Sequence, residues 1–188
     1  MDQMQPVLDD FYRFVTHNSN HALTLLGAVG VYRTAIVPNY SGKSDDWEIE
    51  TIVEGRTLEC TTAGEVRRDF ESGGPMDRWV TQAWFIHMSD YWERVTRPQL
   101  RQLISQQPKL DVMGDLNLLR NDIAHHDGVR SSTGKLRVLT HWAAEGEPIA
   151  LTHLHFHEFI DAFPWDASAR EWGGAASLTP PASPSLSV

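Results

Sequence analysis

The stretch Leu119-Arg120-Asn121-Asp122-Ile123-Ala124-His125-His126-Asp127-Gly128 decides how this chain is read. It closes a segment, Asp111 to His125, whose apolar residues recur every three or four positions, as they do on an amphipathic helix. At about 100° per residue, Val112, Leu116, Leu119 and Ile123 fall in one narrow arc and form a core stripe. Asn121 and His125, four apart, fall together on roughly the opposite side, with Arg120 between the two arcs. The outer pair therefore faces either solvent or another subunit. Leu110, Gly114 and Leu118 share that outer face, and a small residue beside apolar ones permits close approach of a second helix. His126 falls near the core side and is expected to be structural. Arginine is a fixed cation that can hold a phosphate, and histidine is the side chain best suited to moving protons near neutral pH. An arginine, the adjacent asparagine and a histidine within six residues thus suit phosphodiester chemistry, which makes Arg120, Asn121 and His125 the candidate site.

Composition sets limits on that reading. The chain has 188 residues, enough for one domain with a real core. A formal net charge of −9 disfavours long, sequence-blind nucleic-acid binding, whose affinity comes from many cation–phosphate contacts. A small catalytic site acting on RNA remains compatible with it, because local charge matters more there. Arg120, Arg130, Lys135 and Arg137 lie close together in sequence around the motif. The single cysteine, Cys60, excludes an internal disulfide framework and a cysteine-based zinc cluster, and a reducing, cytoplasmic compartment fits it best. Met1 to Asp10 carries acidic residues without a basic-then-apolar pattern, so it does not read as a secretory signal. The longest apolar run, Ala22 to Val37, is broken by Gly27, Gly30 and Arg33 and is too short to span a bilayer comfortably. It is predicted to be a buried helix, with no membrane partner.

Outward from the motif, the pattern predicts a mainly α-helical single domain over residues 1–172, with small β elements. Gln5 to Val15 has Leu8, Phe11, Tyr12 and Val15 at helical spacing. His17-Asn18-Ser19-Asn20 reads as a loop before the apolar helix, which ends at Pro38. Ser41 to Asp46 is turn-like, and residues 47–62 read as a β-hairpin around Glu54-Gly55. Gly73-Gly74-Pro75 marks a boundary. Beyond it, residues from Met76 to Val95, Trp79, Trp84, His87 and Trp92 among them, trace one broad face of a long helix. Pro98 ends or kinks that helix, a further helical piece reaches about Gln106, and Pro108 precedes the motif helix. Lys135 to Ala143 and Glu147 to His157 read as two strands of a second hairpin (135–157), followed by a short helix from Glu158 to Phe163. From Gly173 to Val188 the chain is Gly, Ala, Ser and Pro with almost no charge, which predicts a disordered tail.

The segment Arg120-Asn121-x-x-x-His125 resembles the Arg-x(4–6)-His signature of HEPN domains (higher eukaryotes and prokaryotes nucleotide-binding), including the polar residue that commonly follows the arginine. The aromatic-rich helix before it and His126-Asp127-Gly128 after it are similar to HEPN helices, and the resemblance covers Met76 to Gly128. It implies a HEPN-like helical bundle in which the N-terminal helices complete the fold and both hairpins are elaborations. Many HEPN domains are metal-independent endoribonucleases acting as dimers. The resemblance therefore implies an RNA substrate, a homodimer, no cofactor and no metal. It gives His125 the role of general base on the 2′-hydroxyl or general acid to the leaving oxygen. Arg120 would hold the scissile phosphate, and Asn121 would orient His125 or a phosphate oxygen. A toxin or defence effector with an antitoxin or defence partner protein is the biological setting it implies. Some toxin members carry a tyrosine two residues after the histidine, modified by a nucleotide; here that residue is Asp127, so that regulation is not implied.

Other readings compete. Arg120 and His125 also suit a surface arginine and a helix C-terminal histidine favoured by the macrodipole. The runner-up reading keeps the HEPN-like fold and makes it a catalytically silent nucleotide-binding or interaction module. A third reading places a metal on His153, His155 and His157, which share one face if Thr152 to Glu158 is a strand. Ligands two apart on a strand are about 7 Å apart and converge poorly on a bond of about 2 Å, which favours a solvated histidine face. Trp79, Trp84 and Trp92 have core spacing, His87 lies on the same face and is expected to be packed, and Trp142 has no assigned role. No Gly-x-Gly-x-x-Gly, Walker loop, Gly-x-Ser-x-Gly or His-Glu-x-x-His is present.

Overall fold

Helix α1, Gln5–Ala35, is the longest element of the computed structural model, which describes residues 3–54, 56–104, 108–132, 134–168 and 172. The predicted tail, 173–188, lies outside the described residues. Pro6 sits in the first turn of α1, where its missing N–H costs nothing. The break expected at His17–Asn20 does not occur. Ser19 is buried and its hydroxyl accepts a hydrogen bond from the Trp84 indole at 3.2 Å, so a tertiary contact carries the helix through a polar stretch of weak propensity. The second half of α1 is also less buried than its composition predicts. Ala22 and Val29 are covered, but Leu25 is 46% and Val31 66% exposed. The helix stops before Pro38, and a short 3₁₀ turn, Val37–Tyr40, follows.

Strands β1, Glu48–Val53, and β2, Arg56–Thr62, form an antiparallel hairpin with Val53 opposite Arg56, as the alternation predicts. Helix α2, Ala63–Asp69, starts directly from it through a capping box between Thr62 and Glu65. Helix α3, Pro75–Tyr91, begins at the predicted boundary and runs antiparallel to α1. The Arg33–Asp77 ion pair (2.7 Å), the Ser19–Trp84 bond and the stacked rings of Phe14 and Tyr91 (3.8 Å) mark successive levels of that contact. Trp84 and Trp92 are in the core, as their spacing predicts. Trp79, by contrast, is 59% exposed and His87 is exposed, so the buried arc of α3 is narrower than the aromatic pattern implied.

A π-helical turn, Trp92–Thr96, joins α3 to α4, Arg97–Leu103. Proline interrupts the regular i→i−4 ladder because it lacks an N–H and its ring crowds the carbonyl four residues back. A widened turn just before Pro98 absorbs both effects. Helix α5, Asp111–His125, has the predicted bounds, and its stripe of Val112, Leu116, Leu119 and Ile123 is buried against α3.

The second hairpin is not formed. Val129 and Pro148 make one isolated bridge, residues 135–149 are irregular, and His153–Ala162 is a helix, α6. Two causes are visible. The backbone N–H groups of Arg137, Val138 and Leu139, which a strand would need, all donate to the buried Asp115 carboxylate at 2.7–2.9 Å. Thr152 and His155 then form a capping box that starts α6 four residues before the end of the expected strand. Phe156, Phe159 and Phe163 close the core over Trp84 and Trp92. The fold is mainly helical with one small two-stranded sheet. No helix among the described residues is long and apolar enough to cross a membrane.

Candidate functional site on helix α5

Helix α5 has two chemically different faces. Its inner face carries the apolar stripe and two buried carboxylates, Asp115 and Asp122, seven residues apart and so on one line of the helix. Asp115 holds the 137–139 backbone. Asp122 pairs with the buried Arg130 and accepts a hydrogen bond from the Ser131 hydroxyl. Arg130 also donates to the carbonyls of Ser131 (2.8 Å) and Gly134 (2.6 Å). A guanidinium taken out of water needs a counter-charge and acceptors, and here one carboxylate and two carbonyls supply them.

The chain after α5 turns sharply under the same control. His126 donates its N–H to the Asp122 carbonyl, and Asp127 (φ 53°) and Gly128 (φ 73°) are both left-handed. Aspartate tolerates that region. At Gly128 a Cβ would be strained by φ and would displace the end of the Gln82 side chain of α3, whose amide nitrogen lies 2.7 Å away. Ile149 N–H to Gly128 O (2.7 Å) and Arg130 N–H to Glu147 O (2.9 Å) then tie the turn to the irregular segment.

The outer face carries the motif. Asn121 and His125 are exposed and Arg120 is half-buried, as the helical wheel predicts. The Arg120 guanidinium donates to Asn121 Oδ1 at 3.2 Å and has no ion pair with a carboxylate among the described residues. Asn121 thus holds Arg120, a partner that periodicity did not assign to it. No hydrogen bond joins either side chain to His125 among the described residues, so one protomer brings together two of the three expected residues.

Several expectations around the motif are corrected. His126 is exposed, because the chain leaves the helical path there (φ −132°) and the wheel no longer applies. Leu110, expected on the outer face, is buried, since it precedes the helix in extended conformation. The basic neighbourhood is smaller than the sequence suggests. Arg130 is neutralised by Asp122, and Arg137 pairs with Asp111 at 2.8 Å. Arg120 and Lys135 remain without a carboxylate partner among the described residues. The signal for Asp115 and Asp122 was present: both are carboxylates spaced three residues from stripe positions, Val112 and Leu119.

The C-terminal histidines are arranged differently from a strand face. On a helix, positions 153 and 155 lie about 200° apart, so three alternate imidazoles cannot face one ion. His155 is committed to the helix cap, its Nδ1 accepting from Thr152 N–H at 2.8 Å, and its ring meets Trp142 edge-on. Among the described residues no three His, Cys, Asp or Glu side chains are grouped to hold a metal. Trp142, whose role the sequence left open, is buried and donates its indole N–H to Glu158 (2.8 Å), which also bonds His141 (3.0 Å).

This cluster gives a pH prediction. Burial holds the His155 imidazole below its ordinary value of 6.5; the Glu158 charge opposes that shift and His141 reinforces it. The unfolded chain then binds the proton first, so folding stability falls as pH drops below 6.5 and stops falling once folded His155 is itself protonated. The physical cause is the cost of placing the imidazolium charge on a half-buried ring. The hydrogen bond from His141, then that from Trp142, hold the Glu158 carboxyl below its ordinary value, so its contribution is lost on the same acid side at lower pH. Thermal melts across this range should show the loss, and His155→Gln should flatten its upper part. An equally steep profile in that variant would remove His155 as the cause.

In comparisons with protein-family models, curated proteins and solved structures, nothing matches this chain.

Proposed function

We propose that the chain is a HEPN-like, metal-independent endoribonuclease acting as a homodimer. The observation that carries this reading is an exposed Arg120-Asn121-x-x-x-His125 edge, with Arg120 unopposed by a carboxylate among the described residues, on a helix whose inner face is locked by two buried acids. Locking one face while leaving the other uncovered is what a positioned site on a rigid element requires. His125 serves as general base on the RNA 2′-hydroxyl or as general acid to the departing 5′-oxygen. The 2′-oxygen attacks phosphorus, the 5′-oxygen leaves and takes a proton, and Arg120 stabilises the charge that builds on the phosphate. Asn121 fixes the guanidinium. The products are a 2′,3′-cyclic phosphate and a 5′-hydroxyl, and DNA, lacking the nucleophile, is not cut. An exposed helix edge is not a cleft, so a second copy supplies the opposing wall. A cytoplasmic toxin or defence effector, paired with an antitoxin or defence partner, is the setting that goes with this chemistry.

Purified chain incubated with mixed RNA in EDTA is expected to cleave it, with cyclic-phosphate ends, and Arg120→Ala and His125→Ala each to lower cleavage by at least about 10²-fold. Activity that requires metal, or that survives His125→Ala, would overturn the mechanism. The Arg120–Asn121 hydrogen bond also supports a second reading, a silent binding module in which the carboxamide keeps the guanidinium occupied. RNA binding that weakens in Arg120→Ala, without cleavage under any condition, would select that reading.

A further inference from the structure

On α1, His17 and His21 stand one helical turn apart. Both are exposed, and their rings lie 4.1 Å apart between centroids with planes at 58°. Neither imidazole has a hydrogen-bond partner among the described residues. No charged side chain lies between Arg13 and Arg33, and Arg13, one turn before His17, is paired with Asp10 at 3.3 Å. The pair therefore has no competing hydrogen-bond partner among the described residues, and Arg13, the nearest basic residue along its own helix, is paired with Asp10.

Two nitrogens bound to one metal at about 2.1 Å, with an angle of about 90–110°, stand about 3.0–3.4 Å apart. Imidazoles one helical turn apart share a face, the spacing at which two histidines on a helix can each bring a nitrogen to one ion, and here the ring centroids are 4.1 Å apart. An i, i+4 spacing on a rigid 31-residue helix thus supplies two preorganised imidazole donors. No third His, Cys, Asp or Glu joins them among the described residues.

We propose that His17 and His21 form an open, bidentate site for a borderline divalent transition metal, Cu(II), Ni(II) or Zn(II), with water in the remaining positions. Imidazole donors favour these ions in the order Cu(II) above Ni(II) and Zn(II), whereas Mg(II) and Ca(II) need oxygen ligands and are not held. The site is independent of the ribonuclease reading, which uses no metal.

The test uses the full chain. Substoichiometric Cu(II) is expected to broaden the backbone amide NMR signals of residues 14–24 before any others. Ni(II) is expected to raise the melting temperature, since the helix holds the two imidazoles together and so binds it more tightly than the unfolded chain does. His17→Ala and His21→Ala should each lose that shift while keeping their metal-free melting temperature, because both side chains are exposed. Broadening centred on α5 or α6, or a Ni(II) shift retained in both variants, overturns the assignment. So does an equal response to Mg(II).

Discussion

Asp122→Ala is expected to cost about 3–5 kcal/mol of folding stability, the penalty for breaking a buried ion pair by removing one partner. The carboxylate is 2% exposed and Arg130 5%, so water cannot replace what is lost. The substitution leaves the guanidinium with two carbonyls and no counter-charge, and removes the hydrogen bond between Asp122 and the Ser131 hydroxyl. Asp122→Asn keeps one acceptor and removes the charge, so its cost should fall between alanine and wild type. Arg120→Ala provides the contrast within the same turn of α5. Its side chain is half-buried with one hydrogen bond to an exposed neighbour, and its removal should change stability by no more than about 0.5 kcal/mol. Urea unfolding midpoints separate these outcomes. If Asp122→Ala unfolds within about 0.5 kcal/mol of wild type, the pair does not anchor the segment after α5.

The same residues explain what periodicity could and could not reveal. Helix α5 was legible to its ends because one apolar stripe, one boundary proline and one glycine turn all agreed. The polar stretch His17 to Asn20 reads as a loop along the sequence because its local preferences point to one, yet it is helical. The Trp84 indole that holds Ser19 lies 65 residues away, and no window along the chain contains it. The second hairpin failed for a related reason. Residues 135–143 alternate like a strand, but their N–H groups are taken by Asp115, 22 to 24 residues earlier. In the site itself, the wheel placed Asn121 and His125 outward and could not show that Asn121 would engage Arg120. Nor could it show that Arg130, counted with the basic cluster, would be buried against Asp122. Side-chain partners across a turn depend on a path that periodicity does not encode.

Mixing two inactive variants tests the composite site more sharply than either variant alone. Arg120→Ala and His125→Ala should each lower cleavage by about 10²–10⁴-fold, the range for removing a general acid–base group or an oxyanion donor. Within one protomer Arg120 turns toward Asn121, and Arg120 and His125 lie about 140° apart around α5. In the proposed dimer, a phosphate held by Arg120 is therefore expected to be served by His125 of the facing copy. In a heterodimer of the two variants, one cleft then regains an intact arginine and histidine while the other has neither. Random exchange makes half of the dimers mixed, each with one of two clefts restored, so an equal mixture should recover about a quarter of wild-type activity. If arginine and histidine instead act from the same protomer, no mixture contains an intact pair and nothing is recovered. Heterodimer formation, followed by native mass spectrometry, must accompany the assay. Confirmed heterodimers without recovered cleavage exclude the shared cleft, and a strictly monomeric mass at micromolar concentration excludes the dimer itself.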